Sequence, residues 1–357
     1  MGWCNRWLPE YVPCSALAAS FAAKRCTSVP LWGRRGYAAV VVVHPSLFDV
    51  AEPASDPELS AVADELMSRD PDGTRIAAVL RRTYDMLLDG QHTGRYRWDE
   101  LYKTEKTHFG TLVEINLQRE FGFADGVAMD FAIGGIDVDC KYSQGRADWM
   151  IPPEAVGHVI LGLWASDDQG RWSLGLVRAN DHLLTASRGN RDLKRRLNAA
   201  GKAAVTWLFP SNPLPENALL RIPPADVDRI FTCSKHGTKR VDMLFRLAQR
   251  RIISRTVVAT VAQQEDYMKR VRGNGGSRSS LRPEGIVIIG QFESHRRIAQ
   301  ALAVPAPGPG ESVSVRLARR LPDHGERPFV TLNGSEWVVA GRDDPVEEAP
   351  VLPDVKE

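Results

Sequence analysis

Apolar positions take on a helical or strand period only after Glu52. From Asp56 to Leu88 the pattern is helical. Asp56-Pro57-Glu58 is a capping residue followed by proline at the first helical position, where its missing N–H costs nothing. Asp70-Pro71-Asp72 starts a second helix with Ile76, Val79, Leu80, Thr83 and Leu87 on its apolar face, and Asp89-Gly90 closes it. Thr107 to Phe121 reads as another helix, with Leu112, Ile115 and Leu117 apolar. Strand patterns come next, over Val127–Ile133, Ile136–Tyr142, His158–Ala165 and Trp172–Val177. Gly134-Gly135 joins the first two as a hairpin, which Glu114 on the preceding helix could face. Arg188–Leu197 reads as a basic helix, either along a phosphate backbone or as a solvated face. Helices, a hairpin and further strands predict an α/β domain with a mixed sheet.

Pro210-Ser211-Asn212-Pro213-Leu214-Pro215 predicts a stiff, extended linker. Beyond it the charge pattern changes. Between Lys235 and Arg282 there are twelve lysines and arginines, against only Asp242, Glu265 and Asp266. Such clustering is the footprint of a nucleic-acid partner. Helices are predicted over Val241–Ile253, Thr256–Gln264 and Glu265–Val271, then a loop over Gly273–Ser277 and a strand over Ile286–Ile289. That order resembles a winged helix-turn-helix, with Lys269, Arg270, Arg272, Arg278 and Arg282 as candidate DNA contacts. Short strand-like runs over Val313–Leu317, Phe329–Leu332 and Glu336–Ala340 predict a small finishing sheet.

The totals narrow the class. The 357 residues allow one large domain or two ordinary ones, and 43% hydrophobic with 25% charged content is that of a globular protein. No apolar run spans a bilayer, so no membrane partner is expected. Five cysteines without a C-x-x-C pair argue against a disulfide framework or zinc finger and fit a reducing cytoplasm. Residues 1–43, with Cys4, Cys14 and Cys26, show no clear period and a poor signal-peptide pattern. They are either a leader or the product of a start set too early, with Val40–Val43 the better start.

The chemistry concentrates in the hairpin. Asp139 and Lys141 are two apart on one strand and share a face, and Asp130 lies across the hairpin from them. Two carboxylates can hold a hard divalent cation through oxygen, and an ammonium beside them can stabilise negative charge on a phosphate. Asp137 shares that face but lies toward the turn. Three charges on a hairpin are also an ordinary solvated surface, so the triad alone does not decide. It resembles the Asp…Asp-x-Lys site of the nuclease superfamily of type II restriction enzymes.

Longer stretches sharpen that likeness. Asp70-Pro71-Asp72-Gly73, Leu88-Asp89-Gly90-Gln91, Lys103-Thr104-Glu105-Lys106-Thr107-His108, Thr111-Leu112-Val113-Glu114-Ile115-Asn116-Leu117, Val138-Asp139-Cys140-Lys141, Arg191-Asp192-Leu193-Lys194-Arg195-Arg196-Leu197, Met268-Lys269-Arg270-Val271-Arg272-Gly273 and Leu281-Arg282-Pro283-Glu284-Gly285-Ile286 occur in one order. Together they resemble the NaeI-type restriction endonucleases, from about His44 onward. The resemblance implies a homodimeric, Mg²⁺-dependent enzyme cutting double-stranded DNA at the palindrome GCCGGC, with two copies of DNA per dimer, the second as an effector. It implies Glu114, Asp130, Asp139 and Lys141 as catalytic residues. Asp130, Asp139, the Cys140 carbonyl and Glu114 would be the metal ligands. Met129 departs from the superfamily's usual proline before the first aspartate.

The expected layout is therefore a restriction-endonuclease-like mixed-sheet domain over 44–209, a linker over 210–216, and a winged helix-turn-helix-like domain over 217–357 binding a second DNA site. Two other readings stay open. One is a non-enzymatic DNA-binding regulator with the first domain as a scaffold, which has no need of the charges on the hairpin. The other is a repair or nicking nuclease of the same superfamily.

Overall fold

The computed structural model describes residues 56–186 and 192–353. The expectations for residues 1–43 and for a domain start at His44 lie outside them. Helix Pro57–Arg69 is capped as its sequence predicts. Asp56 accepts the Leu59 N–H at 3.0 Å and holds Nε and Nη2 of Arg178 at 2.7 Å. The next helix, Thr74–Leu88, begins later than Asp70-Pro71-Asp72 suggests. Asp70 is buried and its two oxygens accept the N–H groups of Arg75 and Ile76, so it caps the helix from a distance. Helix Lys103–Phe121 buries Phe109, Val113, Asn116, Leu117 and Phe121.

Six strands form the first sheet, in the order β1 (Ala124–Asp125), β2 (Phe131–Ile133), β3 (Ile136–Ser143), β4 (Val159–Ser166), β5 (Arg171–Arg178) and β6 (Thr206–Pro213). β3 and β4 run parallel and the other neighbours are antiparallel, so the sheet is mixed. One face packs Val138, Cys140, Leu161 and Leu174 against Phe109, Val113 and Leu80 of the helices. The other face carries Trp149, Ile151, Ile160 and Val177. Trp149 crosses this second face and donates its Nε1–H to the Leu163 carbonyl at 2.9 Å.

Three expectations fail here. The strand expected over Val127–Ile133 forms only at Phe131–Ile133, because the N–H groups of Val127 and Ala128 bond the Asp137 carboxylate instead of a strand. The described part of Arg188–Leu197 is extended, not helical. Leu193 has φ 52°, Arg195 exchanges both backbone hydrogen bonds with Ile151, and Leu197 forms a separate bridge with Leu184. Pro210 to Pro213 is not a free linker but the end of β6. Its prolines sit on the sheet's edge strand, where their missing N–H groups leave no neighbour unpaired.

The second half is built on β9 (Glu311–Arg319), which pairs with β7 (Ile253–Ser254), β8 (Ile286–Gly290) and β11 (Ser335–Val339). β10 (Phe329–Leu332) pairs with β11. Helices Pro224–Thr232, Gly237–Leu247 and Arg255–Ala262 cover a core of Val241, Leu244, Phe245, Val258 and Ile288. The third helix expected over Glu265–Val271 is a five-residue 3-10 helix, Tyr267–Val271, too short to serve as the recognition helix of the expected motif. Ser277, expected in the loop, begins a single turn, Ser277–Ser280. The halves interlock through polar contacts. Arg81 lies between Asp85 and Asp167, and Asp85 accepts from Thr256 Oγ1 at 2.9 Å. Arg221 donates to the Asp167 and Asp168 carbonyls, and Asn217 to that of Tyr96. Among the described residues no helix is long and apolar enough to cross a membrane.

Gly162 on β4 lies under Trp149, and a Cβ there would stand 2.2 Å from the ring. Gly162→Ala is expected to lower stability by about 1–3 kcal/mol. In urea titration the midpoint falls with an unchanged slope; an unchanged midpoint would show that the ring gives way freely.

Candidate active site

Gly134 and Gly135 have φ of 60° and 82°. This left-handed pair is what a two-residue hairpin turn requires. The turn sets Ile133 opposite Ile136 and Phe131 opposite Val138. In that register Val138 and Cys140 enter the helix-side core, and alternation turns Asp139 and Lys141 to the other face. The parallel neighbour of Asp139 is Ile160, which belongs to the second core.

Three oxygens converge on one ammonium. Lys141 Nζ lies 2.6 Å from Asp139 Oδ1, 3.1 Å from the Cys140 carbonyl and 3.5 Å from Asp130 Oδ2. Asp130 Oδ2 also accepts the Cys140 N–H at 2.8 Å, which fixes the residue before β2 against the middle of β3. The structure thus brings together Asp130, Asp139 and Lys141 and exposes the Cys140 carbonyl to the same centre. The Cys140 thiol points into the helix-side core, where burial raises its pKa well above the usual thiol value.

Burial governs the electrostatics. It pushes the Asp139 carboxyl up to about 6, against the pull of Lys141. Burial alone would lower the Lys141 pKa, but the attraction of Asp139 outweighs it and holds the ammonium above its ordinary value. Glu114, from helix Lys103–Phe121, is raised by burial and then by the charge on Asp130, and is lowered by Lys141. It shares with Lys141 a groove of about 450 Å³ whose wall includes Glu154 and Lys194.

Among the described residues no three acidic, histidine or cysteine side chains stand close enough to hold a metal between them. The donors that converge are two carboxylates and a backbone carbonyl, all oxygen and two of them anionic, around a positive charge. Asp139 Oδ2 is buried without a hydrogen-bond partner. This donor set fits a hard divalent cation.

Other candidates separate from the site. Asp137 accepts the N–H groups of Val127 and Ala128 at 2.8 Å, so it braces the loop before β2. Glu154 went unrecognised in the sequence. It lies in a short turn after Pro152-Pro153, with no motif to mark it, yet its charge raises Asp139. The basic cluster is partly committed. Arg270 bonds Asp266 and Gln264, Lys269 lies 3.6 Å from Asp266, and Arg282 bonds Glu348. Arg278 is half-buried with its Nε on the Ile288 carbonyl, whereas Arg272 is exposed.

Comparison with known proteins identifies the family. The family profile described as "Restriction endonuclease NaeI" matches residues 60–348. The Type II restriction enzyme NaeI of Lentzea aerocolonigenes is 50% identical over 310 residues, covering 85% of this chain and 96% of the relative. The chain therefore belongs to the restriction endonuclease NaeI family.

Proposed function

We propose that the chain is a type II site-specific deoxyribonuclease. It hydrolyses phosphodiester bonds of double-stranded DNA at the hairpin centre, with Mg²⁺ as its metal. The observation that carries this reading is the convergence of Asp139 Oδ1, the Cys140 carbonyl and Asp130 Oδ2 on Lys141 Nζ at the end of a groove.

Asp130, Asp139 and the Cys140 carbonyl would hold the ion, with Glu114 bound directly or through water. When bound, Mg²⁺ supplies Lewis acidity toward the phosphate and a more acidic water. Lys141 donates to a nonbridging oxygen of the scissile phosphate, where negative charge builds as water attacks. The carboxylate of Glu114, with its raised proton affinity, orients the attacking water and draws its proton. Asp130 uses its bond to the Cys140 N–H to keep its remaining lone pairs turned to the centre.

The wider reading rests on the family likeness. The enzyme acts as a homodimer on the palindrome GCCGGC, which suits a two-fold axis, since each subunit reads one half. The second half, from residue 217, holds a second DNA copy that activates cleavage, through its basic surface rather than through the recognition helix expected of a winged helix-turn-helix. Arg272 stands ready for its phosphates, while Lys269 and Arg270 would first leave Asp266 and Arg282 would leave Glu348.

Digestion of plasmids with none, one or two GCCGGC sites, with and without Mg²⁺ and a short site-bearing duplex, tests the reading. Mg²⁺-dependent fragments from site-bearing plasmids, faster with the duplex, are expected; a retarded but uncut plasmid would overturn it. Asp139→Ala or Lys141→Ala should each slow cleavage by at least about 10²–10³-fold with duplex binding retained. Asp137→Ala, which loses a loop brace, should stay within several-fold of wild type. Equal rates for all three variants would remove the hairpin from the chemistry. Lys269→Ala combined with Arg272→Ala should lower the salt slope of duplex binding by about one to two; an unchanged slope would place the DNA surface elsewhere.

A further inference from the structure

Arg278 takes no part in the chemistry above, and its surroundings are unusual for an arginine. It is carried on the turn Ser277–Ser280, and its Nε donates to the Ile288 carbonyl at 3.1 Å. Its Nη2 lies against Gly290, where a Cβ would stand 2.6 Å away, so glycine there leaves the guanidinium its place. No described carboxylate lies within ion-pair distance of it. Burial lowers its pKa with nothing to oppose the shift. The neighbouring His295 does not supply a counter-charge. Its Nδ1 accepts the Gly290 N–H at 3.1 Å, so the ring proton sits on Nε2 toward the Pro353 carbonyl, and burial and Arg278 both lower its pKa. By contrast, the buried Arg81 has Asp85 and Asp167 beside it.

Among the described residues this withdrawn cation has no anion, an arrangement that is costly to maintain. Arg278 faces a cavity of about 390 Å³, a volume within the usual range for small-molecule sites. Arg282, bonded to Glu348, also lines it, as do Ser279, His295 and the apolar Ile288, Phe292, Val351 and Leu352. The lining therefore offers guanidinium groups for a compact anion and apolar side chains for an attached ring.

We propose that this cavity binds a small organic phosphate of the nucleoside monophosphate class. The phosphate sits on the guanidinium fork of Arg278, whose planar donors match two phosphate oxygens. Arg282 exchanges Glu348 for the second negative charge, and the base lies against Phe292 and Leu352. The site lies apart from the hairpin and shares only Arg282 with the proposed surface for the second DNA. The same arginine could instead meet a backbone phosphate of DNA, and the test separates the two sources.

Isothermal titration of the full chain with a deoxynucleoside monophosphate, with inorganic phosphate and with a duplex makes the test. Saturable nucleotide binding is expected, tighter than that of inorganic phosphate. Arg278→Met should weaken it by about 10- to 100-fold, the loss of a charge-assisted pair. Val351→Trp, which fills the cavity from a residue 52% exposed, should weaken it by a similar factor while leaving duplex affinity within about twofold. If Arg278→Met melts early, Val351→Trp alone decides. The proposal is overturned by an absence of nucleotide binding, by binding unchanged in Val351→Trp, or by phosphate binding as tightly as the nucleotide. It is likewise overturned if nucleotide fails to bind and Arg278→Met lowers the salt slope of duplex binding by about one, which would make Arg278 a DNA-backbone contact.

Discussion

The site depends on β3 keeping two registers at once. On one side β3 is tied to β2 through Gly134-Gly135, and on the other it runs parallel to β4. A slip of one residue on either side would send Asp139 and Lys141 into the helix-side core and turn Cys140 out. Burial of Asp139 follows from this register, and so does its raised proton affinity. Lys141 offsets that cost by placing an ammonium among three oxygens. The same convergence is what a hard cation and a phosphate would use. Structural need and chemistry thus act on the same few atoms.

Much of the first half was legible because its signals are local. Asp56-Pro57-Glu58 starts a helix through its own side chain, and two consecutive glycines specify one turn type. Asp139-x-Lys141 shares a face by period alone. What failed depends on partners distant in sequence. Arg195 pairs with Ile151, so a run rich in helix-formers is held extended. Pro210 and Pro213 read as a linker, but pairing with β5 makes them part of an edge strand, where proline is tolerated. Glu154 had no signal, since it reaches the groove only through the chain's path around β4.

The second half shows the limit of counting charge. Twelve basic residues in a short span point to nucleic acid, yet several already hold the fold together. Arg240 donates to the Val261 and Ala262 carbonyls at the end of helix Arg255–Ala262, and Arg246 grips Glu284 with two nitrogens. Arg272, exposed and without an ion pair among the described residues, is therefore a better marker of a DNA surface than the sum of charges. Between the halves, Thr256, Asp85, Arg81 and Asp167 form a continuous polar chain, and Tyr84, one residue before Asp85, meets Tyr142 beside Lys141 at 3.4 Å. The second half is thus physically joined to the strand that carries the site.

The most direct test of the central claim is to locate the metal. Crystals of the enzyme with a non-cleavable site duplex and Mn²⁺, measured for anomalous scattering, would show where the cation binds. The account predicts a peak bounded by Asp130, Asp139 and the Cys140 carbonyl, with Lys141 turned to a phosphate oxygen. A peak elsewhere, with Lys141 still on Asp139 and no phosphate near it, would contradict the assignment of the hairpin as the active site.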